Sequence, residues 1–335
     1  MADLRFGIIG WGYWGPKIAR NLDGLSQTSV TMVADLDERR LASIAVNQPW
    51  TKTTTHIEDV FLSDEIDGVV IATPVRTHYQ LAKQALLHGK HVLVEKPLTA
   101  SVAEAEELVA LAKERNLVLM VGHTFEYSPA VNELRKLVQN GDLGKIYCVE
   151  AERVNLGLFR SDINVIWDLA PHDVSILLYL FGKIPERVKV QAHAHLQSHI
   201  SDIAHLDLEF ADGMTAHIHV SWLHPCKIRR VTVIGDARMV VYDDTNPAEM
   251  IKVYNKGADV HADPVVSYRH GAITIPHIDW IEPLRLECED FAHCIRTGSE
   301  PRANGSVGLS VVRVLAAAQE ALEKQEKVNL SAIVR

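Results

Sequence analysis

Gly10-Trp11-Gly12-Tyr13-Trp14-Gly15-Pro16 follows the apolar run Leu4 to Ile9, and these two stretches together decide the fold. Leu4 to Ile9 is continuous rather than alternating, as expected of a short strand buried on both faces. In the GxGxxG spacing that follows, Gly10 allows the tight turn and Gly12 the close approach of a pyrophosphate, while Gly15 allows tight helix–strand packing. Pro16 falls near the first turn of the next helix, where its missing N–H is tolerated. Phosphates belong at that helix N-terminus, with Trp11, Tyr13 and Trp14 completing the loop. The motif is weak alone. A strand before it, a helix after it and an acid about twenty residues further on give it weight.

That acid is Asp35, at the end of Ser29-Val30-Thr31-Met32-Val33-Ala34. Asp35 is placed to bind ribose hydroxyls and to disfavour a 2′-phosphate, which selects NAD over NADP. A helix cap after the strand is the plain alternative. Arg39 and Arg40 keep NADP open, since an arginine there suits a 2′-phosphate.

The alternation of strand and helix continues. Asp67 to Ala72 reads as a strand delivering Thr73-Pro74, and a helix from Arg76 to His88 closes on Gly89 as its C′ residue. Thr73, Pro74 and His78 then fall at the carboxyl edge of the sheet, where ligands bind in such folds. His91 to Val94 delivers Glu95-Lys96-Pro97 to the same edge, and a Lys–Pro bond adopts cis at low cost. Ser101-Val102-Ala103-Glu104 is a capping box. Val118 to Val121 is one more strand, followed by Gly122-His123, and a helix starting at Ser128-Pro129 ends at Gly141. This order predicts a doubly wound parallel sheet.

After Gly144 the pattern becomes one of period two. Val188, Val190, Ala192 and Ala194 alternate with Lys189, Gln191, His193 and His195; Ala204, Leu206, Leu208 and Phe210 alternate with His205, Asp207 and Glu209. Ala216, Ile218, Val220 and Trp222 alternate with His217, His219 and Ser221. An open antiparallel sheet with one buried face and one polar face follows. Expected domains are a dinucleotide-binding Rossmann domain over 1–123 and a substrate-binding and oligomerisation α+β domain over 124–335, the last helices packing back on the first domain.

Trp167-Asp168-Leu169-Ala170-Pro171-His172-Asp173 places a carboxylate and an imidazole four residues apart, on one face if the segment is helical. Hydride transfer at an alcohol carbon needs a nicotinamide, a base for the hydroxyl proton and a cation near the oxygen. Glu95-Lys96-Pro97 offers the cation. Pro171 suggests a helix that starts close to His172, with Asp168 just before it. On position alone, Asp168 and His172 read equally as a helix N-terminus with its cap.

The bulk composition excludes other classes. The chain has 335 residues, 47% hydrophobic and 23% charged, with a formal net charge of −9. No basic footprint for nucleic acid is present. The longest apolar run, Ile176 to Phe181, is too short to span a bilayer. The N-terminus carries no visible signal peptide. Cys148, Cys226, Cys288 and Cys294 form no CxxC, so reduced thiols and a cytoplasmic location are expected, with no metal site.

The ordered set of the N-terminal fingerprint, Ala72-Thr73-Pro74 with His78, Glu95-Lys96-Pro97, Asp168-x-x-x-His172 and Glu282-Pro283-Leu284-Arg285-Leu286-Glu287 resembles the Gfo/Idh/MocA family of NAD(P)-dependent oxidoreductases across essentially the whole chain. The resemblance implies a Rossmann domain followed by an open-faced sheet that often makes subunit contacts, here a homo-dimer or homo-tetramer. It implies catalytic roles for Lys96, Asp168 and His172, with His172 as general acid/base. It implies a cofactor site of Gly10, Trp11, Gly12, Tyr13, Trp14, Gly15, Asp35, Thr73, Pro74, His78, Glu95, Lys96 and His123. The chain departs from many relatives in carrying Ala170-Pro171 before the histidine and Ser175 after it.

Val154-Asn155-Leu156-Gly157, Arg160-Ser161-Asp162 and Trp167-Asp168 are similar to segments of enzymes of bacterial nucleotide-sugar and polysaccharide pathways, several of which act at the C3 position. Arg153 and Arg160 are then the cations offered to a diphosphate or carboxylate, and Lys96, Asn164 and His172 are the other substrate contacts. Surface or ion-pair arginine is the plain alternative. An inositol or free aldose is the second substrate class, and a non-catalytic NAD-binding regulator is the reading from another class. His193, His195, His205, His217 and His219 share the polar face of the inferred sheet, either as solvated surface or as a subunit interface that weakens in mild acid.

Overall fold

The computed structural model of the chain describes residues 3–47, 50–260 and 265–330. The chain divides into two compact units, Met1–Tyr127 with Ile281–Val312 and Ser128–Trp280 with Arg313–Arg335. The boundary falls four residues later than the sequence places it, and residues 281–312 return to the first unit.

The first unit begins β1 (Leu4–Ile9), α1 (Gly15–Asp23), β2 (Thr28–Ala34), α2 (Glu38–Asn47), β3 (Lys52–Thr54), α3 (Glu58–Leu62), β4 (Gly68–Ile71), α4 (His78–Leu87), β5 (His91–Val94), α5 (Val102–Arg115) and β6 (Leu119–Val121). Its strands are parallel in the order β3-β2-β1-β4-β5-β6, the doubly wound dinucleotide-binding order. β4 and β6 are wholly buried, as their unbroken apolar sequence requires, and β1 is buried from Phe6 to Ile9, beyond the half-buried Leu4 and Arg5. The helices stop where local chemistry says they should. Ser101 Oγ accepts the N–H of Glu104 at 3.3 Å to open α5, and Asn116 closes it in the left-handed region. Gly89 takes φ +72° beyond α4, a conformation that favours glycine.

The register fixes the site edge. Ile9 pairs with Ala34 and with Ile71, Ile71 with Val94, and Val94 with Val121. The strands therefore end in one row, and the residues that follow them, Gly10, Asp35, Ala72-Thr73, Glu95-Lys96 and Gly122-His123, all leave the sheet at the same edge.

The second unit contains α6 (Pro129–Gln139), β7 (Ile146–Val154), α7 (Val165–Phe181), β8 (Arg187–His193), β9 (Ile203–Glu209), β10 (Thr215–Ser221), β11 (Ile228–Gly235), β12 (Met239–Asp243), β13 (Ile251–Val260) and β14 (Val266–Thr274). Two helices follow, α8 (Pro283–Thr297) in the first unit and α9 (Gly305–Lys324), whose residues divide between the units after Val312; the short β15 (Val328–Asn329) lies in the second unit. In the first unit Phe291 of α8 packs on Phe6 of β1 with ring centroids 5.6 Å apart.

The second sheet runs β14-β13-β12-β11-β7-β10-β9-β8-β15. It is antiparallel, as expected, except at its centre, where β7 and β10 are parallel. Parallel neighbours need a long crossover, and α7 with the β8–β9 hairpin supplies it. The apolar face is the expected one: Ala204, Leu206, Leu208, Ala216, Ile218 and Val220 are buried. β8 ends at His193, so Ala194, expected on that face, is exposed beyond the strand. α7 packs on the apolar face against β7, β9 and β10.

α7 corrects a second expectation. It begins at Val165, so Asp168 lies in its first turn and Pro171 lies inside it. The cap decides this. Asn164 Oδ1 accepts the N–H groups of Ile166 and Trp167, both at 3.1 Å. Pro171 forgoes only one helical bond, while Val165, Ile166, Ala170, Val174, Leu177 and Leu180 are all buried. No helix among the described residues is long and apolar enough to cross a membrane. The four cysteines are free thiols.

Candidate active site

Each glycine of the fingerprint is accounted for by its surroundings. Gly10 has φ +100°, and a Cβ there would meet the Ala72 carbonyl oxygen at 2.7 Å. A Cβ on Gly15 would strike the Gly10 carbonyl oxygen. A Cβ on Gly12 would meet only Arg40 Nη1, at 3.9 Å, so Gly12 borders open space. The turn, the tight packing and the open approach are the three conditions a bound pyrophosphate imposes. The residues present therefore fit a dinucleotide. Lys17, which the motif does not include, stands 3.2 Å from the centroid of the exposed Tyr13 ring and 4.9 Å from that of Trp14. It adds a cation beside the loop.

Asp35 does two things. It is buried, its Oδ2 accepts the Trp11 N–H at 2.6 Å, and its Oδ1 accepts the Asp37 N–H at 2.8 Å. It thus ties the glycine loop to the end of β2 at the position where a ribose is bound in this fold. Arg40 Nη1 lies 3.4 Å from the same carboxylate, and Arg39 pairs with Asp37 at 3.0 Å.

Thr73 and Pro74 flank the loop, with Thr73 Oγ1 2.7 Å from Thr77 Oγ1. His78, expected at the cofactor edge of the sheet, is not exposed. It is buried, with Nδ1 2.9 Å from the Pro97 carbonyl oxygen and Nε2 2.8 Å from that of Thr73. Burial holds its pKa down, and the ring joins two loops of the sheet edge. The Lys96–Pro97 bond is cis. Lys96 itself is half-buried. Glu95 is buried beside it, and burial raises its pKa to about 7. His123 is fully buried, and burial with the Lys96 charge lowers its pKa to about 3, so it is a neutral ring.

In the second unit α7 sets Asp168 and His172 one turn apart on the same face. Trp222, at the end of β10, donates its indole N–H to Asp168 Oδ2 at 2.9 Å. Sequence spacing alone could not have shown Trp222 as a partner of Asp168. Arg160 is partly exposed and paired with Asp162 at 3.2 Å, on the segment before α7.

Two proposed substrate contacts are engaged elsewhere. Arg153 is buried and grips Asp173 through Nε and Nη2, both at 2.9 Å. A guanidinium so committed is not available to a diphosphate. Asn164 is the cap of α7, and its Nδ2 donates to Gln319 Oε1 at 3.0 Å. On the polar face of the sheet His205 and His219 stack with centroids 4.3 Å apart, and His217 Nδ1 lies 2.6 Å from Asp207. Among the described residues no group of three or more His, Cys, Asp or Glu is placed to hold a metal ion.

A parallel sheet in this order, a glycine cradle and an acid at the end of β2 define a dinucleotide-binding protein. Residues 4–123 match the family model described as an oxidoreductase family with NAD-binding Rossmann fold, and residues 131–241 match the GFO/IDH/MocA C-terminal domain. A UDP-N-acetylglucosamine 3-dehydrogenase of Acidithiobacillus ferrooxidans is 31% identical over 95% of this chain and 96% of its own length. A myo-inositol 2-dehydrogenase of Thermotoga maritima is 21% identical over 99% of this chain and 100% of its own. The crystal structure of GenD2 from gentamicin A biosynthesis, in complex with NAD, superposes with a TM-score of 0.84 at 25% identity, covering 98% of this chain and 97% of that one. The chain belongs to the GFO/IDH/MocA family, and it is an NAD-binding oxidoreductase.

Proposed function

We propose that the chain oxidises or reduces a ring hydroxyl of a nucleotide sugar, at C3, with NAD, in the making of a sugar or polysaccharide. The observation that carries this is the likeness to a UDP-N-acetylglucosamine 3-dehydrogenase over nearly the full length of both chains. NAD, when bound, supplies the hydride acceptor. The chain's own groups do the rest. His172 exchanges the hydroxyl proton, a task suited to a group that titrates near neutrality. The Lys96 ammonium stabilises the developing alkoxide. Asp168, fixed by Trp222, orients the reacting groups. Arg160 is the cation offered to the diphosphate, with Arg153 withdrawn into its ion pair.

An inositol or free aldose is the second reading, favoured by the likeness to a myo-inositol 2-dehydrogenase. The test is a panel of UDP- and dTDP-sugars, free aldoses and inositols, each with NAD and with NADP, followed by the absorbance of reduced nicotinamide. Turnover of a nucleotide sugar is expected. Turnover of free polyols alone contradicts the nucleotide. Silence across the panel, with NAD nonetheless bound, favours a regulator. Self-association through the polar face of the second sheet belongs to the same proposal; sedimentation at neutral and mildly acid pH checks it, and a monomer at both contradicts it.

A further inference from the structure

Besides His172, a second imidazole stands at the end of the second sheet where α7 begins, and it is braced from behind. His195, read from its alternation as part of the polar face, lies two residues past the end of β8 and turns to Asp202. Its Nδ1 is 2.8 Å from Asp202 Oδ1, while Asp202 Oδ2 accepts the main-chain N–H groups of His195 at 2.8 Å and Leu196 at 2.9 Å. Asp202 is buried, whereas the His195 side chain is 49% exposed. Burial works against the Asp202 charge, yet the His195 ring and the two N–H groups hold its carboxyl below the usual range. An ionised carboxylate only accepts, so Nδ1 carries the proton and donates. Nε2, on the far side of the ring, is then open to a ligand.

Main-chain bonds place this pair beside Asp168. The ladder of β8, β9 and β10 continues one rung past the strands: the Asp202 N–H donates to the His193 carbonyl and the Trp222 N–H to the Asp202 carbonyl, both at 2.9 Å. Asp202 stands two residues before buried Ala204, and Trp222 two residues after buried Val220, so both side chains share the face on which α7 packs. Trp222 in turn holds Asp168. The Val165 N–H, at the start of α7, donates to the Ser201 carbonyl at 2.9 Å. β7 lies on the other side of β10 from β9. There the Gly157 N–H donates to the Trp222 carbonyl at 3.0 Å, and the Phe159 ring meets the indole edge-on with centroids 5.9 Å apart, which carries the chain on to Arg160. Arg160 and His195 therefore flank Trp222 and Asp168 from opposite sides. Two strand spacings, about 10 Å, separate β8 from β10, the reach of a sugar diphosphate rather than of a sugar ring alone.

We propose that His195, braced by Asp202, is a second anion contact of the substrate site and takes a phosphoryl oxygen of the nucleotide's diphosphate at Nε2. The inference deepens the nucleotide-sugar reading and rests on it. A phosphoryl oxygen is an acceptor, so the ring binds it as an imidazolium between two anions, with a charge-assisted bond at each nitrogen. Buried Asp202 supplies one anion and the ligand the other. Residues 193–199 carry two further imidazoles, His193 and His199, and no acid, so no charge in that loop repels a phosphate.

The test is calorimetric titration of the full chain with UDP, with uridine and with inorganic phosphate. Wild type is expected to bind UDP well and the other two far more weakly. His195→Ala is expected to weaken UDP about tenfold, the effect of one lost hydrogen bond to a charged group, and to leave NAD affinity unchanged. The exposed ring is removed there while Asp202 keeps its two N–H donors, so the fold is retained. UDP is also expected to protect His195 in wild type from acylation by diethyl pyrocarbonate, read by mass spectrometry, and uridine is not. Should His195→Ala lose NAD affinity as well, this protection decides alone. Equal UDP affinity in wild type and His195→Ala, or equal labelling with and without UDP, overturns the proposal; if Arg160→Ala still weakens UDP, the nucleotide-sugar reading stands without it. Failure of wild type to bind UDP overturns both. Protection by inorganic phosphate but not by UDP makes the pair a site for free anions and overturns its part in binding substrate.

Discussion

Trp222 Nε1 and Asp168 Oδ2 lie 2.9 Å apart, so that a buried residue just past β10 holds the carboxylate in the first turn of α7. A hydrogen bond to a charged group contributes about 1.5–3 kcal/mol. Trp222→Phe keeps the aromatic packing and removes the donor. It is expected to lower kcat/KM about tenfold or more and to leave NAD affinity unchanged. Steady-state kinetics with calorimetric NAD titration check this, and unaltered kinetics contradict the role given to Trp222.

Arg153 and Asp173 form a bidentate pair in which both side chains are buried. Removing either partner leaves a buried charge uncompensated. Arg153→Ala and Asp173→Ala are each expected to cost about 3–5 kcal/mol in urea unfolding. The double variant Arg153→Met with Asp173→Leu is expected to be more stable than either single variant. A surface-type loss below about 1 kcal/mol in the singles contradicts the pairing.

Discrimination of the cofactor by the charge of Asp35 is part of the proposal. Asp35→Ser removes the carboxylate that repels a 2′-phosphate and frees Arg40 from its contact at 3.4 Å. The variant also loses the bond to the Trp11 N–H, so binding of both cofactors weakens. Its NADP-to-NAD ratio of affinities is nonetheless expected to rise about tenfold or more, as measured by fluorescence titration. A falling ratio contradicts the assignment.

His123 makes the acid limb of stability. Burial depresses its pKa from 6.5 to about 3, so between these values the unfolded chain binds a proton that the folded chain refuses. Stability from this group is complete above 6.5 and is lost as pH falls towards 3. Glu95 acts in the opposite sense, because its raised pKa favours the folded state at low pH. His123→Asn is therefore expected to flatten the fall in melting temperature on the acid side. A fall as steep as in wild type contradicts the assignment.

What the sequence made legible was local. The glycine loop, the Ser101 cap and the period-two strands depend on neighbours a few residues away, and they appear where the pattern puts them. The start of α7 was misplaced because Pro171 is the louder signal, although Asn164, with its carbonyl in reach of two N–H groups, outweighs it. The partners of Arg153 and Asp168 lie on other elements, so no spacing rule could name Asp173 or Trp222. The same kind of pairing makes His78 a joint between the Thr73 and Pro97 carbonyls, which its spacing does not show. The antiparallel sheet appears as the alternation predicts, while its one parallel pair, β7–β10, is a matter of topology that alternation does not encode.

The central claim is that Lys96 and His172 perform the chemistry rather than hold the cofactor. Lys96→Ala and His172→Ala, each assayed for NAD binding by calorimetry and for turnover of the substrate found by the panel, test it most directly. NAD affinity within about threefold of wild type, with kcat lowered by the 10²–10⁴-fold typical of a lost acid/base or electrostatic group, is the predicted result. Full activity in either variant, or loss of turnover that merely follows loss of NAD binding, would contradict it.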